Sequence, residues 1–182
     1  MNYKFEETLF QYAACTLEGI KVGSIFSCLK KDYPNIYQVI SHYKRLLASV
    51  GINLEILKDN DKYLLIYLYN QNELNKLWCQ QECQQFLKKC GYCNCIYKNI
   101  ALLKNKLKEN EFPHDIGVFL GYSIEDIISF IEKKGQDYQC IGYWKVYNNE
   151  KEKKELFSSY DNCTNYYLEQ FYNGTNLSQL IA

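Results

Sequence analysis

The residues of this chain best equipped for chemistry are its nine cysteines and a single His-Asp step. The His-Asp step and one of the thiols, Cys140, fall in Phe112-Pro-His-Asp-Ile-Gly-Val-Phe-Leu-Gly-Tyr122 and in the following Cys140-Ile-Gly-Tyr-Trp-Lys-Val-Tyr147. His114 supplies an acid/base group with Asp115 beside it as an orienting carboxylate. Cys140 or Cys163 supplies a thiol for it to activate, which is the outline of a cysteine-dependent enzyme. The plain structural alternative is a histidine that satisfies a backbone carbonyl at a strand entrance. In the second segment Gly142 permits close approach, so Trp144 or Tyr143 offers a face for a planar ligand such as a flavin or a haem edge. Core packing would use the same residues.

A second thiol group comprises Cys79, Cys83, Cys90, Cys93 and Cys95. Cys79 and Cys83 share a helix face, and Cys90-x-x-Cys93 has the spacing by which two thiolates hold one zinc or iron. No histidine lies near them, and the pairs stand closer together than in zinc ribbons, which favours incidental thiols. Gly117 to Gly121 leading into Ser123 is a weak phosphate cradle, because Glu125 and Asp126 would repel an anion from that helix end. His42 reads as a solvated helix residue. No nucleotide-binding loop or nucleophile elbow occurs, and the sequence names no cofactor.

These groups need elements to hold them. A length of 182 residues with 47% hydrophobic content suits one domain over 1–182 with a sizeable core. The spacing predicts a helix from Phe5 to about Ala14, an extended stretch within 15–29, and a helix after Pro34 closed by Gly51. Ile52 to Tyr69 predicts an antiparallel hairpin turning at Asp59-Asn-Asp. Two helices hinged at Gly91 follow, then a strand over 116–120, a helix after Ser123, a strand over 138–147 and a closing helix over about 150–172 that carries Cys163. The expected class is α+β (mixed α/β), a small mixed sheet flanked by helices.

Composition limits the partners. Lys+Arg and Asp+Glu both number 21, and Arg45 is the one arginine, so the bidentate groups that favour phosphate and base edges are scarce. That argues against nucleic acid. The Met1 to Glu7 segment lacks a secretory signal's basic start and apolar core, and runs such as Tyr63 to Tyr69 are too short to cross a bilayer. A cytoplasmic protein without a membrane partner is expected, its odd number of cysteines reduced.

Four stretches resemble a known family: Cys15-Thr-Leu-Glu-Gly-Ile-Lys21, Phe112 to Tyr122, Gly142-Tyr-Trp-Lys-Val-Tyr147, and Phe157-x-x-Tyr160-x-x-Cys163. The chain is similar over nearly its whole length to a bacterial family, small cytosolic proteins of anaerobic Gram-positive organisms, catalogued as a domain of unknown function. The resemblance implies no activity. It implies cysteines at the positions of Cys15, Cys140 and Cys163, whereas the group at Cys90, Cys93 and Cys95 is particular to this member. The family's usual Cys-Ala-Pro-Thr-Leu is replaced here by Ala14-Cys15-Thr16.

Three functions stay open. The first is a ligand- or metal-binding, redox-associated protein whose site combines Cys15, Tyr122, Cys140, Tyr143, Trp144 and Cys163, with a small ligand, a metal or a redox protein as partner. The second is an enzyme using Cys140 with His114. The third is an adaptor acting through its surface.

Overall fold

The computed structural model describes residues 2–109 and 112–181. Helix α1 (Tyr3–Leu17) begins at Asn2, whose side chain accepts from the Phe5 amide at 3.0 Å. It buries Phe5, Leu9, Phe10 and Ala13 on one stripe. Strand β1 (Gly23–Leu29) follows, then helix α2 (Ile36–Ala48), with Ile36, Ile40, Tyr43 and Leu47 buried at helical spacing. Pro34 sits just ahead of the Asn35 cap, and Gly51 takes φ +76° after the helix ends.

Strands β2 (Ile52–Asp59) and β3 (Tyr63–Asn70) form the expected hairpin, its turn held by Asn60 Oδ1 accepting from the Lys62 and Tyr63 amides, both at 2.9 Å. The sheet order is β1-β3-β2, antiparallel throughout, with Phe26 opposite Ile66 and a register shift between Ile56 and Lys58. Central β3 is apolar on both faces because both are covered. Leu64, Ile66 and Leu68 pack with α1 and α2, whereas Tyr67 and Tyr69 face the helices that follow.

Those helices are α3 (Gln71–Trp78), α4 (Gln81–Lys89), α5 (Ile96–Lys106), α6 (Ile116–Phe119) and α7 (Ile124–Glu132). Beyond them lie β4 (Cys140–Ile141), β5 (Lys145–Val146), α8 (Glu150–Tyr172) and α9 (Leu177–Leu180). The fold is α+β, and α8 returns across the first layer, setting Tyr167 and Phe171 against Phe10.

Three expectations are corrected. The 71–89 stretch is two helices, broken at Cys79 and Gln80, so three helices precede the Phe112 segment. Residues 116–119 form a helical turn, not a strand, because Gly117 lies against Ile127 and the chain must curl to enter α7. A Cβ on Gly117 would come within 2.9 Å of Ile127 Cγ1. The 138–147 strand is a tight hairpin, doubled back at 142–144 with the Gly142 amide bonding the Trp144 carbonyl at 3.1 Å. Gly142 lies flat on Phe157, where a Cβ would sit 2.3 Å from Cδ2.

Candidate functional site

The last turn of α1 carries Cys15 against the middle of α8, which carries Cys163. Cys15 belongs to a buried cluster with Trp144, Val146, Phe157 and Tyr160, and Tyr122, Cys140 and Cys163 pack on its edge. Tyr143 joins it through its ring, 5.0 Å from that of Tyr160. The fold thus gathers the six residues expected to form a thiol and aromatic site.

The two thiols from α1 and α8 are not equivalent. Cys15 is pushed down from its ordinary 9.0 to about 7, chiefly by the hydrogen bond from Cys163. Burial opposes this shift, while a hydrogen bond with Thr164 and the Lys21 charge support it. Cys163 is pushed up by the same hydrogen bond and by burial, so the proton of the pair stays on Cys163. As a neutral thiol Cys15 donates to the Tyr160 carbonyl at 3.3 Å, and it lies 3.7 Å from Thr164 Oγ1. The C-terminal end of α1 repels a thiolate, which makes these donors and the nearby ammonium necessary.

Lys21, only 8% exposed, donates to the Gly23 carbonyl and to Ser24 Oγ, the latter at 3.5 Å. Burial pushes its ammonium down to about 8, and the Cys15 charge pushes it back up. Ser24 is fixed in turn by Thr16, at 2.9 Å between hydroxyls. A cavity of about 200 Å³ opens here, lined by Cys15, Lys21, Ser24, Tyr122, Tyr143 and Thr164. A low-lying thiol and a buried amine on one small cavity, with a second thiol packed beside the first, can carry out thiol exchange.

The aromatic wall is built by α7 and the β4–β5 hairpin. Tyr122 stacks on Trp144 with centroids 4.6 Å apart and planes 25° apart, and Trp144 meets Phe157 edge to face at 4.6 Å. Asp126 in the first turn of α7 fastens this wall. It accepts from Ser123 Oγ at 2.6 Å, Trp144 Nε1 at 2.8 Å, and the Tyr147 and Asn148 amides at 2.7 and 3.3 Å. Tyr122 and Tyr143 also line a second, larger cavity of about 390 Å³.

His114 lies on that second cavity, its ring 5.0 Å from Phe130, whereas Cys140 packs on the thiol cluster. Among the described residues no hydrogen bond joins them. Asp115 does not orient His114 either, because it forms a buried ion pair with Lys106 instead. Lys106 also covers the Tyr92 ring and bonds the Cys90 carbonyl at 2.9 Å.

The five thiols between Cys79 and Cys95 do not converge. Cys83 is fully buried in the helical core, where burial pushes it up to about 11, and Cys90 is pushed up by the same cause. Cys79 and Cys93 are exposed on a cavity of about 730 Å³, and Cys95 caps α5. Asn99 clamps the Cys93 backbone on both its groups, at 2.9 and 2.6 Å. Among the described residues no group of three or more His, Cys, Asp and Glu side chains is arranged to hold a metal ion, and no helix is long and apolar enough to cross a membrane.

Sequence reasoning singled out neither Lys21 nor Asp126 for a site. Lys21 stands in the Gly19-Ile-Lys-Val-Gly23 stretch, where nothing local marks it as buried. Asp126 was legible only as a first-turn acid.

The chain belongs to the family described as a protein of unknown function (DUF3793), whose model matches residues 9–181. No curated protein and no solved structure matches it.

Proposed function

We propose that this family member is a bacterial, cytoplasmic, redox-associated thiol protein, with Cys15 as the nucleophile and Cys163 as the resolving thiol of a site that takes a small disulfide or a redox partner. The observation that carries the reading is the packing of these two thiols, one from α1 and one from α8, beside a cavity that Cys15 and buried Lys21 line. A reducing compartment keeps such a pair ready.

The chemistry balances as thiol exchange. The Cys15 thiolate attacks one sulfur of a disulfide substrate, the substrate S–S bond breaks, and the departing thiolate takes a proton from water. Cys163 then loses its proton to solvent and attacks Cys15 Sγ, expelling the second substrate thiol and leaving a Cys15–Cys163 disulfide. The substrate gains two electrons and the protein loses two. A dithiol reductant restores the pair. Lys21 lowers the cost of the Cys15 charge, and Tyr122 and Tyr143 shape the cavity.

The test is site-resolved alkylation by iodoacetamide, read by mass spectrometry, together with exposure to oxidised glutathione. Cys15 should react in the folded protein with a pH midpoint near 7, and oxidation should yield a Cys15–Cys163 cross-link that is absent from Cys163→Ser. Labelling of Cys15 only after unfolding, or oxidation without that cross-link, sinks the reading.

A further inference from the structure

The cavity between α7 and the β4–β5 hairpin takes no part in this thiol chemistry. Its volume of about 390 Å³ is at the small end of the roughly 300–1,000 Å³ typical of sites for organic molecules. Tyr122, Phe130 and Trp144 supply aromatic walls, with Ile116 and Ile127 behind them. At the rim, Phe112, Ile141 and Tyr143 are 60%, 65% and 38% exposed. Large apolar side chains gathered round a concave site are surface that a ligand would cover.

The charges on the cavity select the ligand's sign. Asp126 lines it, but its two oxygens are already engaged by Ser123, Trp144, Tyr147 and Asn148. Lys145 is different. Among the described residues its hydrogen bond is to the Gly135 carbonyl at 2.8 Å, and an ammonium carries three donors, which leaves two to offer. Its Nζ stands 5.8 Å from the Phe130 centroid and 4.8 Å from that of Tyr138, so the cation sits at the edge of the aromatic wall. His114, edge to face with Phe130, adds a second nitrogen group to the cavity lining.

We infer that this cavity binds a small planar aromatic carboxylate, its ring packed against Phe130 and Trp144 and its carboxylate on Lys145. The ring surface supplies affinity by displacing water from the apolar walls, and the charge-assisted bond sets orientation. The site shares Tyr122 and Tyr143 with the thiol cavity but does not depend on thiol reactivity.

The probe is 2-naphthoate, followed by equilibrium dialysis and by quenching of tryptophan fluorescence, with 2-naphthamide as the uncharged control. Wild type should bind 2-naphthoate saturably. Lys145→Met should lose about tenfold in affinity for the acid, the equivalent of one charge-assisted hydrogen bond, and keep its affinity for the amide. Ile141→Asp, at an exposed rim position, should weaken both. Cys15→Ser should bind normally, which separates this inference from the thiol reading. It is overturned by absence of saturable binding in wild type, by equal affinity of the acid for wild type and Lys145→Met, or by a concentration-dependent dimer that buries Ile141 in place of the ligand.

Discussion

Replacing Asp126 removes the acceptor that ties α7 to the β4–β5 hairpin, and the hydrogen bonds set the cost. Two of its donors, Trp144 Nε1 and the Tyr147 amide, are buried. An orphaned buried donor costs about 1–3 kcal/mol. Asp126→Ala leaves both without a partner and should cost about 4 kcal/mol, a large part of the 5–15 kcal/mol that holds an ordinary domain together. Asp126→Asn keeps one oxygen, which serves the Tyr147 and Asn148 amides. Its Nδ2 can donate to the Ser123 hydroxyl, but it faces the Trp144 indole N–H as one donor facing another. One buried donor is lost, at about 2 kcal/mol. Urea unfolding followed by far-ultraviolet circular dichroism gives both values, and tryptophan fluorescence reports whether Trp144 stays seated. Variants within about 0.5 kcal/mol of wild type, or an alanine variant more stable than the asparagine one, would refute the assignment of Asp126 as the fastener.

Gly142→Ala should destabilise by about 1–3 kcal/mol, since the added methyl would lie 2.3 Å from Phe157 Cδ2. Adding Phe157→Leu should recover part of the loss, and a neutral single variant would contradict the close packing. Stability should rise with pH from about 7 to 9. Cys15, held near 7 against 9.0, and Lys21, held near 8 against 10.5, both leave the folded chain with fewer bound protons than the unfolded one in that window. Cys28 and Cys83, pushed up to about 12 and about 11, and Cys163, pushed up beside Cys15, keep protons that the unfolded chain is already releasing as pH nears 9, and there the trend flattens and then reverses. Urea midpoints that fall between pH 7 and 9 would contradict this. Asn99→Ala should cost about 2 kcal/mol through its two bonds to the Cys93 backbone and should speed Cys93 alkylation. Unchanged labelling would show that the clamp does not order that loop.

Local patterns carried the elements whose burial is one-sided. The α2 stripe of Ile36, Ile40, Tyr43 and Leu47 was readable because spacing alone distinguishes its faces, whereas the β2–β3 hairpin, with β3 covered on both, was readable from the alternation along β2 and the turn residues at 59–61. Residues 116–120 misled because a short apolar run fits a strand or a buried helical turn equally well, and the choice came from Gly117 packing beneath Ile127. The alternation over 138–147 likewise hid a reversal that Gly142 makes feasible on Phe157. Cys15, Tyr122, Cys140, Tyr143, Trp144 and Cys163 were legible as types, and the fold brings them together. The adjacency of His114 and Asp115 was not a dyad, since adjacent residues of a helical turn point apart and Lys106 claims the carboxylate. Lys21 escaped notice because its burial depends on Tyr122, which arrives from far along the chain.

The packing of α1 on α8 also dictates when the thiol site comes into being. In a growing chain Cys15 is made well before the sulfur that shares its proton, which follows more than a hundred residues later. Until α8 docks, Cys15 has neither Cys163 nor Thr164 beside it, and their part of the downward shift of its thiol is missing. Closing so long a loop is entropically costly and late among folding events. A chain that has not yet reached α8 therefore carries an ordinary thiol at position 15, and the lowering of its pKa waits on the docking of α8.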